Sequence, residues 1–149
     1  MPVTFQLTID AVDPARLVAF WAAALGYVAE PPPAGFPDWA AYWRDVGLPE
    51  EELIGVTGAD SLVDPDGQGP RIWFQLVPEA KSAKNRLHLD IRASGGRAQP
   101  MPLRRAAIRA EADRLADLGA SVLRVLEQDG LDHFGIVMRD PESNEFCIN

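Results

Sequence analysis

What constrains this 149-residue chain most is an order of parts that occurs twice. In the first half Phe5, Leu7 and Ile9 alternate with Gln6, Thr8 and Asp10, the period-2 pattern of a half-buried strand over residues 3–10. Asp13-Pro14 then offers an N-cap and a proline at the first helical position. Leu17, Phe20, Trp21, Ala24 and Leu25 follow at helical spacing, and Gly26 stops the helix. A short strand over residues 61–63, an Asp64-Pro65-Asp66-Gly67 turn and a strand over residues 71–77 complete the half. In the second half, over residues 86–92, Leu87, Leu89 and Ile91 alternate with His88, Asp90 and Arg92. A helix is predicted over residues 103–118, with Ile108, Ala112 and Leu115 on its buried side and Gly119 beyond it. Strands over 121–126 and 133–138, a turn at Asp140-Pro141-Glu142-Ser143-Asn144 and a strand over 145–148 follow. His88 thus answers Gln6, Gly119 answers Gly26, Asp140 answers Asp64 and Cys147 answers Gln75.

The spacing drifts between the halves as loop insertions would make it. One insertion follows Ile91. The other follows Gly26 and holds Pro31-Pro32-Pro33, which no helix crosses, and a short helix over residues 38–46 with Trp39, Tyr42 and Trp43. A strand-helix-strand-strand-strand unit used twice predicts an α+β fold. The chain reads as one domain over residues 1–149, with module one at about 1–80 and module two at about 84–149.

Composition narrows the function. The chain is 47% hydrophobic and 24% charged, an ordinary globular balance. With 14 Lys plus Arg against 22 Asp plus Glu, the net charge is -8, the wrong sign for a phosphate backbone, so no nucleic-acid partner is expected. A single cysteine allows no internal disulfide and suits a reducing cytoplasm, the expected location. Residues 1–10 lack a signal-peptide pattern, and no stretch is apolar enough to span a bilayer, so no membrane partner is expected. Phosphate-loop, Gly-x-Gly-x-x-Gly and nucleophile-elbow motifs are absent.

Among single residues His88 stands out, because a neutral imidazole can give or take a proton near pH 7. Asp90, two residues on and on the same strand face, is placed to orient it. The competing reading is a His hydrogen-bonded within the strand pairing. Glu145 shares a face with Cys147 and is either a second catalytic carboxylate or a solvated charge. Cys147 has no adjacent base and reads as a buried thiol. Trp39, Tyr42, Trp43 and Trp73 form a dense aromatic group, either a stacking surface for a planar ligand or a satellite core under a long loop.

Three motifs carry a resemblance: Asp13-Pro14 with Phe20-Trp21 and Leu25-Gly26; Lys84-Asn85-Arg86-Leu87-His88-Leu89-Asp90; and Asp140-Pro141-Glu142-Ser143-Asn144-Glu145-Phe146-Cys147. Together they resemble the glyoxalase/bleomycin-resistance/extradiol-dioxygenase superfamily, in its bacterial glyoxalase-like branch, over nearly the whole chain. The resemblance implies two βαβββ modules whose curved mixed sheets surround a central cavity, with helices on the outer faces. It places Phe5, Leu7, Ile9, Phe74, Leu76, Leu87, Leu89, Ile91, Phe146 and Ile148 under the helices. The alternate positions would then face the cavity.

The resemblance also marks Gln6, Gln75, His88 and Cys147 as the positions where metal-dependent members carry ligands. Two neutral amides in that set leave a hard divalent ion short of negative charge, so no metal and no cofactor is expected. The implied activity is lyase or isomerase chemistry on a small carbonyl compound, with His88, Asp90 and Glu145 as catalytic residues. The alternative is a non-catalytic protein that binds or sequesters a small molecule. Gln6, Thr8, Trp39, Trp43, Trp73, Gln75, His88 and Cys147 would contact the ligand in either case. A homodimer is expected from the same resemblance.

Overall fold

In a computed structural model, which describes residues 1–54, 56 and 58–149, Asp13 caps the first helix. Its Oδ1 accepts from the Arg16 N–H at 3.1 Å, and α1 runs Pro14–Leu25. Gly26 ends it at φ 71°, a left-handed conformation that favours glycine. The apolar stripe buries Leu17, Val18, Phe20, Trp21 and Ala24. Asp38 caps α2 (Trp39–Val46) in the same way, accepting from the Ala41 N–H at 2.7 Å.

The chain divides into two units, Met1–Glu79 and Ala80–Asn149. Unit one holds β1 (Leu7–Ala11), α1, β2 (Val28–Ala29), α2, α3 (Glu50–Leu53), β3 (Ser61–Val63) and β4 (Ile72–Leu76). Unit two holds β5 (Asp90–Ile91), α4 (Met101–Asp117), β6 (Ser121–Glu127), β7 (Phe134–Arg139) and β8 (Glu145–Ile148). Each sheet has four strands, ordered β1-β4-β3-β2 and β5-β8-β7-β6. In both, the first strand runs parallel to the last and the others pair antiparallel. The twofold order of parts in the sequence is therefore a twofold topology, and the fold is α+β with two mixed sheets. Helix α1 packs on β4 in unit one, and α4 packs on β7 in unit two. Phe74, Leu17 and Leu62 are fully buried in the first unit; Phe146, Ile148, Met138, Ile108 and Leu115 are fully buried in the second. Burying a side chain of this size stabilises by about 1.5–3 kcal/mol.

The structure departs from the alternation at the opening strands. The ladder of β1 starts at Leu7, and Phe5 is exposed rather than covered by a helix. The strand expected over 86–92 shrinks to Asp90–Ile91, and Leu87 and Leu76 are exposed as well. The reason is partner geometry. β5 is an edge strand whose one neighbour, β8, begins at Glu145, and the Glu145 N–H bonds the Asn85 side chain at 3.0 Å instead of backbone. β2 and α3 lie outside the sequence expectations because two and four residues show no periodicity.

The register also moves one correspondence. Thr8 pairs with Trp73, and Asp90 pairs with Cys147. With His88 matched to Gln6, Cys147 therefore answers Trp73, and Gln75 falls two residues further along. Counted along the chain, Trp73 stands nine residues after Asp64 and Cys147 seven after Asp140, so the connection in unit one is two residues longer.

Candidate functional site

In unit two three chemically active side chains meet. His88 stands just ahead of β5, and its Nδ1 lies 3.0 Å from Asp90 Oδ1. Asp90 pairs in register with Cys147 across the parallel β5–β8 ladder, which the Cys147 N–H extends to the Leu89 carbonyl at 2.9 Å. The donor atoms of His88, Asp90 and Cys147 all lie within 4.8 Å of one another. The His88 and Asp90 side chains are 43% and 48% exposed, so the dyad is open to a solute. The Cys147 thiol is half-buried. Burial pushes its pKa up, and so do the Asp90 charge and the hydrogen bond to Asp90.

An ionised carboxylate only accepts hydrogen bonds, so Asp90 selects the tautomer with the proton on Nδ1 and leaves the Nε2 lone pair free. Glu145, the third expected catalytic residue, is engaged elsewhere. Its carboxylate pairs with Lys84, and that hydrogen bond holds its pKa below the usual carboxylate range.

These donors do not suit a hard divalent ion. The set is one imidazole, one carboxylate already held by that imidazole, and one thiol held in its protonated form. Mg²⁺ or Mn²⁺ asks for oxygen ligands. A softer ion such as Zn²⁺ would have to displace both the thiol proton and the His88–Asp90 hydrogen bond. A direct consequence concerns Cys147. It is expected to react with iodoacetamide at mildly alkaline pH more slowly than a free thiol. Asp90→Asn, which removes the neighbouring charge, should speed the reaction. Mass-spectrometric time courses read both, and equal rates in parent and variant would refute the assigned cause.

In unit one the expected ligand-contact residues are spread over separate places. Gln6 Nε2 donates to Thr8 Oγ1 at 3.3 Å, and Gln6 Oε1 accepts from Arg71 Nη1 at 2.9 Å. Gln75 pairs with Asp10 at the far end of the β1–β4 ladder, about 13 Å from the level of Gln6 at 3.3 Å per residue. Trp73 Nε1 donates to Asp60 Oδ2 at 2.8 Å. Trp39 and Trp43 stack at 6.0 Å, and both line a cavity of about 620 Å³ with Val18, Ala19, Asp60 and Leu76.

Arg71 was not among the expected site residues, yet it organises the polar side of this unit. Its Nε donates to Glu30 Oε2 at 2.8 Å, and Ser61 Oγ, fully buried, donates to the same oxygen at 2.6 Å. Burial alone would raise the Glu30 pKa. The Arg71 and Ser61 hydrogen bonds and the Arg71 charge outweigh it and hold the carboxyl below its ordinary value. The strand pattern does place Arg71 on the face of Trp73 and Gln75, but nothing in the sequence points to Glu30 as its partner.

A family model described as a glyoxalase-like domain matches residues 6–149. No curated protein matches the sequence with significance. Among solved structures the chain is similar to a glyoxalase/bleomycin resistance protein/dioxygenase family enzyme from Burkholderia phytofirmans PsJN. That match has 14% identity and a TM-score of 0.57, over 97% of this chain and 94% of that one. It is similar to the fosfomycin resistance protein FosX from Mesorhizobium loti, with 10% identity and a TM-score of 0.56 over 99% and 91%. It is also similar to a mutant FosX from Listeria monocytogenes, solved with Mn(II) and 1S,2S-dihydroxypropylphosphonic acid. There the identity is 10% and the TM-score 0.61, over 100% and 92%. At these identities the likeness speaks for the fold.

Proposed function

From the premise that the chain belongs to the glyoxalase-like domain family, we propose that it is a lyase- or isomerase-type enzyme that moves a proton on a small carbonyl compound. The observation that carries this reading is the His88–Asp90 dyad, 3.0 Å apart on an open strand face. His88 Nε2 takes the proton from the carbon next to the carbonyl. Asp90 steadies the imidazolium that forms, and His88 returns the proton to a neighbouring atom or to a leaving group. Cys147, neutral beside the dyad, bounds the site without adding charge. The reaction needs no metal in this reading, because the donors are occupied with one another.

The test is deuterium uptake from D₂O into a panel of small α-hydroxycarbonyl compounds, followed by NMR. Uptake above that of free imidazole, unchanged by EDTA, is expected. No uptake from any compound overturns the assignment, and loss of uptake with EDTA overturns the metal-free part of it.

A second reading, small-molecule binding without catalysis, is favoured by the cavity beside Trp39 and Trp43 in unit one. A ligand there would quench tryptophan fluorescence without any turnover. A homodimer belongs to the same proposal. Val3, Phe5, Leu76 and Leu87 are exposed apolar side chains for which a second copy would provide cover. Light scattering should return twice the 16.3 kDa chain mass, and the chain mass alone at micromolar concentration would refute the dimer. No helix among the described residues is long and apolar enough to cross a membrane.

A further inference from the structure

Unit two contains a cavity that the dyad does not use. It has a volume of about 490 Å³, within the range of small-molecule sites, and lies by the first turns of α4. Arg92, Arg97 and Arg104 line it together with Ser94, Ile108 and Phe134. We propose that this cavity binds a small molecule bearing a carboxylate or phosphoryl group, with an apolar part against Ile108 and Phe134.

Charge is the first support. Three arginines line the cavity in a chain whose net charge is -8. The one carboxylate side chain in the lining is Asp132, and it is paired with Arg104. Arg92 and Arg97 have no ion-pair partner among the described residues. A planar fork of N–H donors matches carboxylate and phosphoryl oxygens in pairs, which a lysine does not do.

Burial is the second. The Arg104 side chain is only 9% exposed, and its Nε is buried with no hydrogen-bond partner among the described residues. A buried guanidinium that Asp132 satisfies only in part is costly to hold without a further acceptor. An anion in the cavity would relieve that cost by countering the charge of the group.

The surrounding chain is shaped to leave room. Gly95 and Gly96 both take positive φ, 73° and 86°, and bend the loop that presents Ser94 and Arg97. Helix α4 begins after Pro100 with no side-chain cap, and its dipole adds positive potential at that end. Phe134, 4% exposed, is held by Arg105 and Arg109, whose guanidinium carbons lie 5.3 and 5.4 Å from the ring centroid. The cavity is separate from the dyad. None of His88, Asp90 and Cys147 is in its lining.

The experiment is calorimetric titration of the full chain with phenyl phosphate, benzoate and inorganic phosphate, at low and at physiological ionic strength. One or both aromatic anions should bind, more weakly as salt rises, and the tighter of the two identifies the headgroup. Arg97→Gln should weaken that binding roughly tenfold, the loss of one charge-assisted contact. Arg104→Gln should weaken it further; if that variant fails to fold, Arg97→Gln, at an exposed loop, keeps the test open. His88→Gln should leave the affinity unchanged. The proposal is overturned if neither aromatic anion binds at millimolar concentration, if Arg97→Gln binds like the parent, or if His88→Gln abolishes binding. Inorganic phosphate binding more tightly than phenyl phosphate would overturn the apolar part of the site.

Discussion

Replacing His88 with glutamine is expected to lower deuterium exchange into a carbonyl substrate by roughly 10²–10⁴-fold at neutral pH, the usual contribution of one positioned general base. Glutamine is similar in size and can still donate to Asp90, but it has no lone pair able to take a proton. The side chain is 43% exposed and is hydrogen-bonded to Asp90, so the unfolding free energy should change by no more than about 0.5 kcal/mol. That combination separates catalysis from folding. In a His88→Ala protein added imidazole should restore part of the rate, because the space left by the ring faces solvent. Asp90→Asn should also slow exchange, since an amide can donate to Nδ1 and so favour the tautomer with the proton on Nε2. Parent-like exchange in the His88→Gln protein, at equal concentration and fold, would remove His88 from the mechanism.

Glu30→Gln is expected to destabilise the chain by about 1–3 kcal/mol at pH 7, the cost of leaving a partly buried cation without its counter-charge. Glu30 accepts from Arg71 and from the buried Ser61, and the side chains of Arg71 and Glu30 are 33% and 24% exposed. The pH dependence has a definite sign. The folded-state pKa of Glu30 lies below its unfolded value of 4.5, so the unfolded chain binds the proton first. The contribution is complete above pH 4.5 and fades as the pH falls through the folded-state value. Parent and variant should therefore differ at pH 7 and converge in acid. Urea denaturation at the two pH values measures this, and a difference that stays constant would mean that the ion pair is not its source.

Much of the architecture is written in local patterns. Asp13-Pro14 and Gly26 mark the ends of α1 because capping and left-handed geometry depend on neighbours along the chain. Phe74, Phe146 and Ile148 are buried as the alternation predicts. The same alternation put Asp90 beside His88, two residues apart on one face, and they lie within hydrogen-bond distance. It failed for Phe5, Leu76 and Leu87, because an apolar residue is covered only where an element lies over it, and period alone does not supply that element.

By itself, then, the sequence determined the repeated order of parts, the helix ends, most of the buried positions and the His88–Asp90 dyad. Each of these rests on residues a few positions apart. The tertiary structure alone decided that Cys147 sits level with Asp90 and answers Trp73, that Glu145 is taken by Lys84, and that Arg71 reaches Glu30, 41 residues away. It also decided that Arg92, Arg97 and Arg104 share one cavity. Register between strands far apart in the chain depends on how many residues each turn consumes. Two more residues between Asp64 and Trp73 than between Asp140 and Cys147 change which side chain stands at a given level without disturbing any local pattern.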